Sequence, residues 1–279
     1  MIGHKILIEN FKKLAEREKL NHGYIFFGPD RVGKKLFALS LANYLENGIF
    51  DDPKGKILSD THLISPDENG TIGIEEARRI KYFLIERPNR SLYRTVIIND
   101  AQALTGEAQN ALLKITEEPS RAALIILVLK EPELILATIE SRLHKIYFSQ
   151  VSKKEIEEWL KREYLVPDKK ATELAEKSFG QPGLARLILS DDKFNEAITA
   201  AAKTLELAPS ERKTFIKDLV KEEKFDINLF LEALGIEVAG QNKMRPEFWH
   251  KLMELRRNLN FFNLNPRLQL EALFFKNTE

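Results

Sequence analysis

A parallel α/β sheet of five strands carrying a phosphate-binding loop, followed by an all-helical remainder, is the fold class predicted by this chain of 279 residues. Three observations predict it. Gly28-Pro-Asp-Arg-Val-Gly33-Lys34 matches G-x-x-x-x-G-K and lies between an apolar run and an Ala/Leu-rich stretch. Five short apolar runs alternate with helix-like segments before residue 150. After Phe148 the strand-like runs stop, and helix signals take over.

The elements follow in order. Tyr24-Ile25-Phe26-Phe27 reads as a buried strand entering the loop, and residues 36–45 read as the helix that leaves it. Gly28 and Gly33 let backbone N–H groups curl around phosphate oxygens, and Lys34 reaches the terminal phosphates. Lys35 stands where Ser or Thr should follow, so the hydroxyl that holds Mg²⁺ is absent. Residues 48–59 are polar, carry Pro53 and Gly55, and read as a surface loop. Further strands are expected at 61–65, 94–99, 124–129 and 145–148. The third run, Thr95-Val-Ile-Ile-Asn99-Asp100, ends in a carboxylate. At a strand's C-terminal end Asp100 sits near the phosphates and can bind Mg²⁺; its alternative role is a helix or turn cap. Ala108, Ala111, Leu112 and Ile115 then share one helical face, with Thr105 as N-cap and Pro119 as stop.

Ser152-Lys-Lys-Glu155 is a capping box, with Val151 and Ile156 as its hydrophobic staple, and opens the helical region. Further helices are expected after Pro167-Asp168 and from Pro182. Phe248, Leu252, Leu255 and Leu259 share a face; Asn265-Pro266 starts a last helix with Leu270, Leu273 and Phe274 buried.

Composition narrows the function classes. The formal charge is +1, so no overall field draws the chain to nucleic acid or membranes. There is no Cys, which excludes disulfides and Cys-ligated zinc and fits a reducing, cytoplasmic setting. His4, His22, His62, His144 and His250 are scattered without ligand spacing and read as surface or core residues. The longest apolar run, residues 122–129, is too short to span a bilayer, and the N-terminus lacks a signal-peptide core.

The segment Leu104-Thr-Gly-Glu-Ala-Gln-Asn110-Ala-Leu-Leu-Lys114-Ile-Thr-Glu-Glu118-Pro119 closely resembles the NALLK-x-x-EEP signature of bacterial clamp-loader subunits. Ile139-Glu140-Ser141-Arg142 resembles the family's T-I-x-S-R-C motif, with Leu143 in place of Cys. His22-Gly-Tyr-Ile-Phe-Phe-Gly28-Pro29 and Asn263-Leu-Asn-Pro-Arg-Leu-Gln-Leu-Glu271 are similar to the strand entering its phosphate loop and to the end of its collar. The resemblance implies an AAA+ domain over 1–149, a helical lid over 150–192 and an oligomerising helical collar over 193–279. It places Asn110 and Lys114 near primed DNA.

The family contains ATP-hydrolysing motors, gamma or tau, and a non-hydrolysing relative, delta prime. Set against the motor pattern, this chain has Lys35 for the Mg²⁺ hydroxyl and Ala101 for the water-activating Glu. It has Leu129-Lys130 for the first sensor, and Gly183, with Arg186 three residues on, for the lid arginine. Ser141-Arg142 survives, and the resemblance makes Arg142 an arginine finger acting in trans on a neighbour's ATP. Its plain alternative is an ion pair with a nearby carboxylate such as Glu140 or Glu133. The four-Cys zinc module of relatives is missing from the loop around residues 51–59, so no zinc is expected, nor any other metal site.

The expectation is therefore a delta prime-like subunit of the DNA polymerase III clamp loader, without hydrolysis of its own. No cofactor is required, although the degenerate loop Gly28, Gly33, Lys34 and Lys35 with Asp100 can bind ATP or ADP weakly. Expected partners are gamma/tau and delta subunits, the sliding clamp and, through the assembly, primed DNA; no membrane. The chain lacks the long extension of tau. The rivals are a slow gamma/tau-like motor and a stand-alone clamp-loader-like DNA-binding protein.

Overall fold

The computed structural model describes residues 1–222, 225–240, 246–259 and 265–275, the side chain of residue 259 excepted. They form two compact units, Met1–Leu184 and Ala185–Glu279.

The first unit is built on five parallel strands: β1 (Gly23–Phe27), β2 (Thr61–Ile64), β3 (Arg94–Asn99), β4 (Ala123–Val128) and β5 (His144–Tyr147). Their order is β2-β3-β4-β1-β5, with registers such as Ile25↔Leu127 and Ile97↔Ile126. Burial follows from this order. Every residue of central β4 is buried, whereas the edge strands β2 and β5 are partly exposed. All five expected strands are present, shifted by at most one residue at an end.

Helices α1 (Lys5–Glu16), α2 (Lys34–Asn47), α3 (Ile74–Ile85) and α4 (Gly106–Glu117) cover the sheet. Because strand side chains alternate, Tyr24 and Phe26 join one core while Ile25 joins the other. The first core is aromatic: Phe26 meets Phe11, Phe37 and Phe148 at centroid distances of 5.6, 5.5 and 5.1 Å. The second is aliphatic, with Ile80 and Leu84 of α3 and Ala108, Leu112 and Ile115 of α4 against Ile25, Ile98 and Ile125. Each fully buried Ile or Leu among them contributes about 1.5–3 kcal/mol.

The sequence reading did not single out Asp60. It is buried just before β2 and accepts the N–H groups of Asn89, Arg90 and Ser91 at 2.7, 2.6 and 2.9 Å. Arg94 approaches it at 3.3 Å, pairs with Glu86 and lies over Phe83. Burial pushes the Asp60 carboxyl up, but the three N–H groups and the guanidinium outweigh it and hold the group below the usual range.

A short α5 (Ala137–Glu140) leads into β5, and α6 (Lys153–Tyr164) and α7 (Asp168–Lys177) follow. Ser152 Oγ accepts from the Glu155 N–H at 3.3 Å, the N-cap half of the expected capping box, while the Glu155 carboxylate takes the Ser152 hydroxyl at 2.9 Å. Val151 and Ile156 are both buried, as the staple requires. These two expected lid helices fall in the first unit, and the division between the units runs through α8 (Pro182–Ser190).

The second unit holds α9 (Asp192–Glu206), α10 (Pro209–Leu219), α11 (Ile227–Gly240), α12 (Pro246–Leu259) and α13 (Pro266–Phe275). α11 is largely apolar, buries Phe230, Leu231 and Leu234, and packs mainly on α9. Leu252, Leu255, Leu270 and Leu273 are buried as expected, and Asn265 Oδ1 caps α13 by accepting from the Leu268 N–H at 3.2 Å. The Arg212 guanidinium closes the end of α9, donating to the carbonyls of Thr204, Leu205 and Leu207. The side chain of Leu259 and the collar-motif residues 263 and 264 lie outside the described residues. Among those described, no helix is long and apolar enough to cross a membrane.

Candidate functional site

The phosphate loop leaves the carboxyl end of β1 and enters α2, as strand, loop and helix predicted. Gly28 has φ 132°, and a Cβ there would stand 2.3 Å from the Phe148 carbonyl oxygen, so only glycine fits. Gly33, φ 105°, starts α2, whose first turn has neither a side-chain cap nor an acid. Its leading N–H groups form an anion-binding geometry. Lys35 is exposed in that turn.

Lys34 is nearly buried, and its ammonium donates to the Gly28 and Pro29 carbonyls, each at 2.6 Å. Burial pushes its amine below the ordinary value; Asp30 opposes that, Lys130 adds to it and Asp100 opposes it. The lysine that should reach for phosphate is thus engaged by its own loop.

The remaining nucleotide-site positions follow the same tendency. Asp100 directly follows β3 with a left-handed backbone, φ 53°, and its carboxylate accepts from the Asn99 and Gln102 amides at 2.6 and 3.3 Å. It occupies the N-cap position of a 3-10 turn at Ala101–Ala103, its carbonyl accepting the Ala103 N–H at 2.8 Å, with no cap bond from the side chain. Ala101 is fully buried in the aliphatic core. Leu129 is buried, and its N–H donates to the Phe26 carbonyl at 3.1 Å. Lys130 turns to Asp30 at 2.7 Å, while its carbonyl accepts the Gly28 N–H at 3.0 Å. Beside them runs a groove of about 450 Å³ bordered by Phe27, Gly28, Asp30, Lys130, Glu133 and Tyr147.

Gly183 lies against the loop: its N–H donates to the Arg31 carbonyl at 3.0 Å, and a Cβ would stand 3.0 Å from that of Arg31. The position assigned to the lid arginine therefore touches the phosphate loop with backbone alone. Arg186 is exposed and belongs to the second unit. The sequence reading missed His4, whose Nε2 is 3.0 Å from the Val32 carbonyl in the same loop. Nothing local signals a contact between residues 28 apart.

Arg142 sits just ahead of the amino end of β5, at the opposite end of the parallel sheet from the phosphate loop. Ser141 Oγ donates to the Thr138 carbonyl at 3.1 Å. Arg142 donates to the same carbonyl through Nη1 at 2.6 Å and to Glu117 Oε1 through Nη2 at 2.9 Å. Its side chain is 35% exposed. Arg142 does pair with a nearby carboxylate, as the plain alternative had it, but the partner is Glu117 and not Glu133 or Glu140, the two examples given; Glu140 takes Lys145, at 2.8 Å. Glu117 is the last residue of α4, so the two most specific motifs are joined by one salt bridge. Thr105 caps that helix by accepting the Ala108 N–H at 3.2 Å, and Asn110 and Lys114 are exposed on it.

The fold and the loop define an AAA+-type protein: a five-stranded parallel sheet with the phosphate loop after β1 and a helical C-terminal region. Among solved structures, a DNA polymerase III gamma subunit-related protein from Thermotoga maritima is similar with a TM-score of 0.56 and 21% identity, covering 95% of this chain and 97% of that one. The Thermotoga maritima RuvB Holliday junction branch migration motor is similar with a TM-score of 0.51 and 14% identity, over 87% and 79%. Both support the fold alone. The family model for "DNA polymerase III, delta subunit" matches residues 3–152, more than half of the chain, and the chain belongs to that family. Curated relatives include Mycobacterium tuberculosis DNA polymerase III subunit gamma/tau, 32% identical over 53% of this chain and 28% of that protein. Subunit delta' is 29% identical in Escherichia coli, over 54% and 46%, and 30% identical in Bacillus subtilis, over 52% and 47%. The chain thus spans less than half the length of each of these curated relatives.

Proposed function

We propose that this chain is a delta prime-like subunit of a DNA polymerase III clamp loader that does not hydrolyse ATP and supplies Arg142 in trans. The observation that carries the reading is the contrast between the two ends of the sheet. At the loop end, Lys34 is bound to its own loop carbonyls, Ala101 and Leu129 are buried, and Gly183 brings no side chain. A loop lacking its Mg²⁺ hydroxyl and its water-activating carboxylate is short of the groups that carry phosphoryl transfer. At the other end, Arg142 is at the surface and out of reach of its own loop, which suits a neighbour's phosphate. In this reading gamma/tau and delta subunits are its partners, the assembly places the sliding clamp on primed DNA, and Asn110 and Lys114 face that DNA. The subunit needs no cofactor or zinc, any ATP or ADP in the loop is weakly held, and the work is done in the cytoplasm.

The 32% identity to gamma/tau favours a second reading, a slow motor. ATP turnover by the purified chain, alone and with primed DNA and clamp, separates the two. We expect no turnover above that of a Lys34→Ala control. Clear turnover lost in that control would establish the motor. Co-purification with gamma/tau and delta distinguishes a subunit from a protein acting alone.

A further inference from the structure

Glu117 lies within the Asn110–Pro119 signature, and the structure gives it a task that the signature does not. We propose that Glu117 is a positioning residue: it fixes the Arg142 guanidinium for presentation to the terminal phosphate of a nucleoside triphosphate on a neighbouring subunit. The inference rests on the trans-acting reading of Arg142.

The first support is the way Arg142 is held. It is fastened at two points on different elements, the Thr138 carbonyl one turn back and the Glu117 carboxylate on α4. A surface arginine otherwise samples many rotamers, and an unrestrained guanidinium loses that freedom only when it meets its target. Two anchors remove most of it beforehand, which is the condition for efficient electrostatic catalysis.

The second support is the donor count. A guanidinium has five N–H groups, and the two anchors take one from each terminal nitrogen. Three donors, including Nε, remain for an incoming phosphate. Carboxylate and phosphate can be satisfied together, so Glu117 need not let go for Arg142 to act.

The third is the stiffness of the support. Near the start of α4, Gln109 donates to the Leu104 carbonyl at 3.1 Å and accepts the Leu136 N–H at 2.8 Å. Gln109 and Glu117 therefore tie down both ends of the segment 136–142 from one helix. Glu117 is half-exposed, and a surface ion pair of this kind adds little to stability. Its use lies in orientation.

The test measures DNA-stimulated ATP turnover by the clamp loader reconstituted with this chain and its own motor subunits. For Glu117→Ala we expect kcat to fall roughly tenfold with KM for ATP changed less than about twofold. Assembly and thermal midpoint should stay at wild-type values. Glu117→Gln, which keeps an acceptor oxygen, should recover most of the rate. The double variant Glu117→Ala/Arg142→Ala should be no slower than Arg142→Ala alone, because Glu117 acts only through Arg142. Turnover at or above wild type in Glu117→Ala, with Arg142→Ala slow, overturns the positioning role and leaves the finger standing. Wild-type turnover in Arg142→Ala overturns the trans-acting reading itself. A double variant slower than either single one shows Glu117 acting elsewhere and also overturns the proposal.

Discussion

The phosphate loop and the Arg142 segment belong to the same compact unit, and each places a long cation beside the backbone, yet they treat that cation in opposite ways. Lys34 is drawn into its loop and shares its ammonium between two carbonyls, whereas Arg142 stays at the surface with three donors unspent. A motor needs both kinds of site to face phosphate. Here the loop keeps its glycine turn and helix start while Lys34 and Asp100 are engaged by the protein's own groups. A loop can therefore be retained for its shape: the Gly28 turn packs on the Phe148 carbonyl, and the loop receives the Gly183 N–H through Arg31.

The most direct way to break this comparison is Arg142→Ala. In the reconstituted clamp loader we expect DNA-stimulated turnover to fall about a hundredfold or more with assembly intact, in keeping with the worth of arginine fingers. Size-exclusion chromatography and a coupled ATPase assay check both halves, and an unaffected rate would remove the outward-facing site from the comparison.

A second variant asks whether the loop end can be repaired. Ala101→Glu restores the residue type that a motor carries, but the position is fully buried in aliphatic side chains. We expect a loss of about 3 kcal/mol in urea unfolding and no gain of turnover, since an unpaired carboxylate would be buried. A stable variant that hydrolyses ATP would mean that the position opens onto the nucleotide.

Gly28→Ala separates shape from chemistry. The added methyl meets the Phe148 carbonyl at 2.3 Å on a backbone that only glycine adopts freely, so a cost of about 2 kcal/mol is expected. A lowered thermal midpoint would show that the loop's shape supports the fold. The smallest effect is expected from Lys34→Ala in the assembled complex, a change in turnover within about twofold, if the loop contributes no chemistry as proposed. A large loss there would make the two ends of the sheet alike.

Much of this molecule was legible in the chain. Each of the five strands was found to within a residue at either end. The inner strands β1, β3 and β4, buried on both faces, carry continuous apolar runs, while the edge strands β2 and β5 are partly exposed and weaker in that signal. The caps at Thr105, Ser152 and Asn265 were readable because a cap is a local hydrogen bond between a side chain and a backbone N–H two or three residues on. The site was legible as a set of residue types: the loop glycines, Lys35 in place of a hydroxyl, Ala101 in place of an acid. Its wiring was not. An ion pair of Arg142 with some nearby carboxylate was readable, with Glu140 and Glu133 as the near examples along the chain, but not that the partner is Glu117. Asp60 and His4 carried no signal of the buried cluster and the loop contact that they make.

Sequence alone determined the element types, the parallel α/β class and the family signature, since these depend on periodicity and residue chemistry within short windows. Tertiary structure decided the strand order β2-β3-β4-β1-β5, the seating of Gly183 on Arg31, the inward turn of Lys34 and the Glu117–Arg142 pair. Those depend on which distant segments the packed sheet brings side by side. A salt bridge between residues 25 apart has no local pattern to announce it; it exists because α4 and the segment before β5 are held against the same sheet.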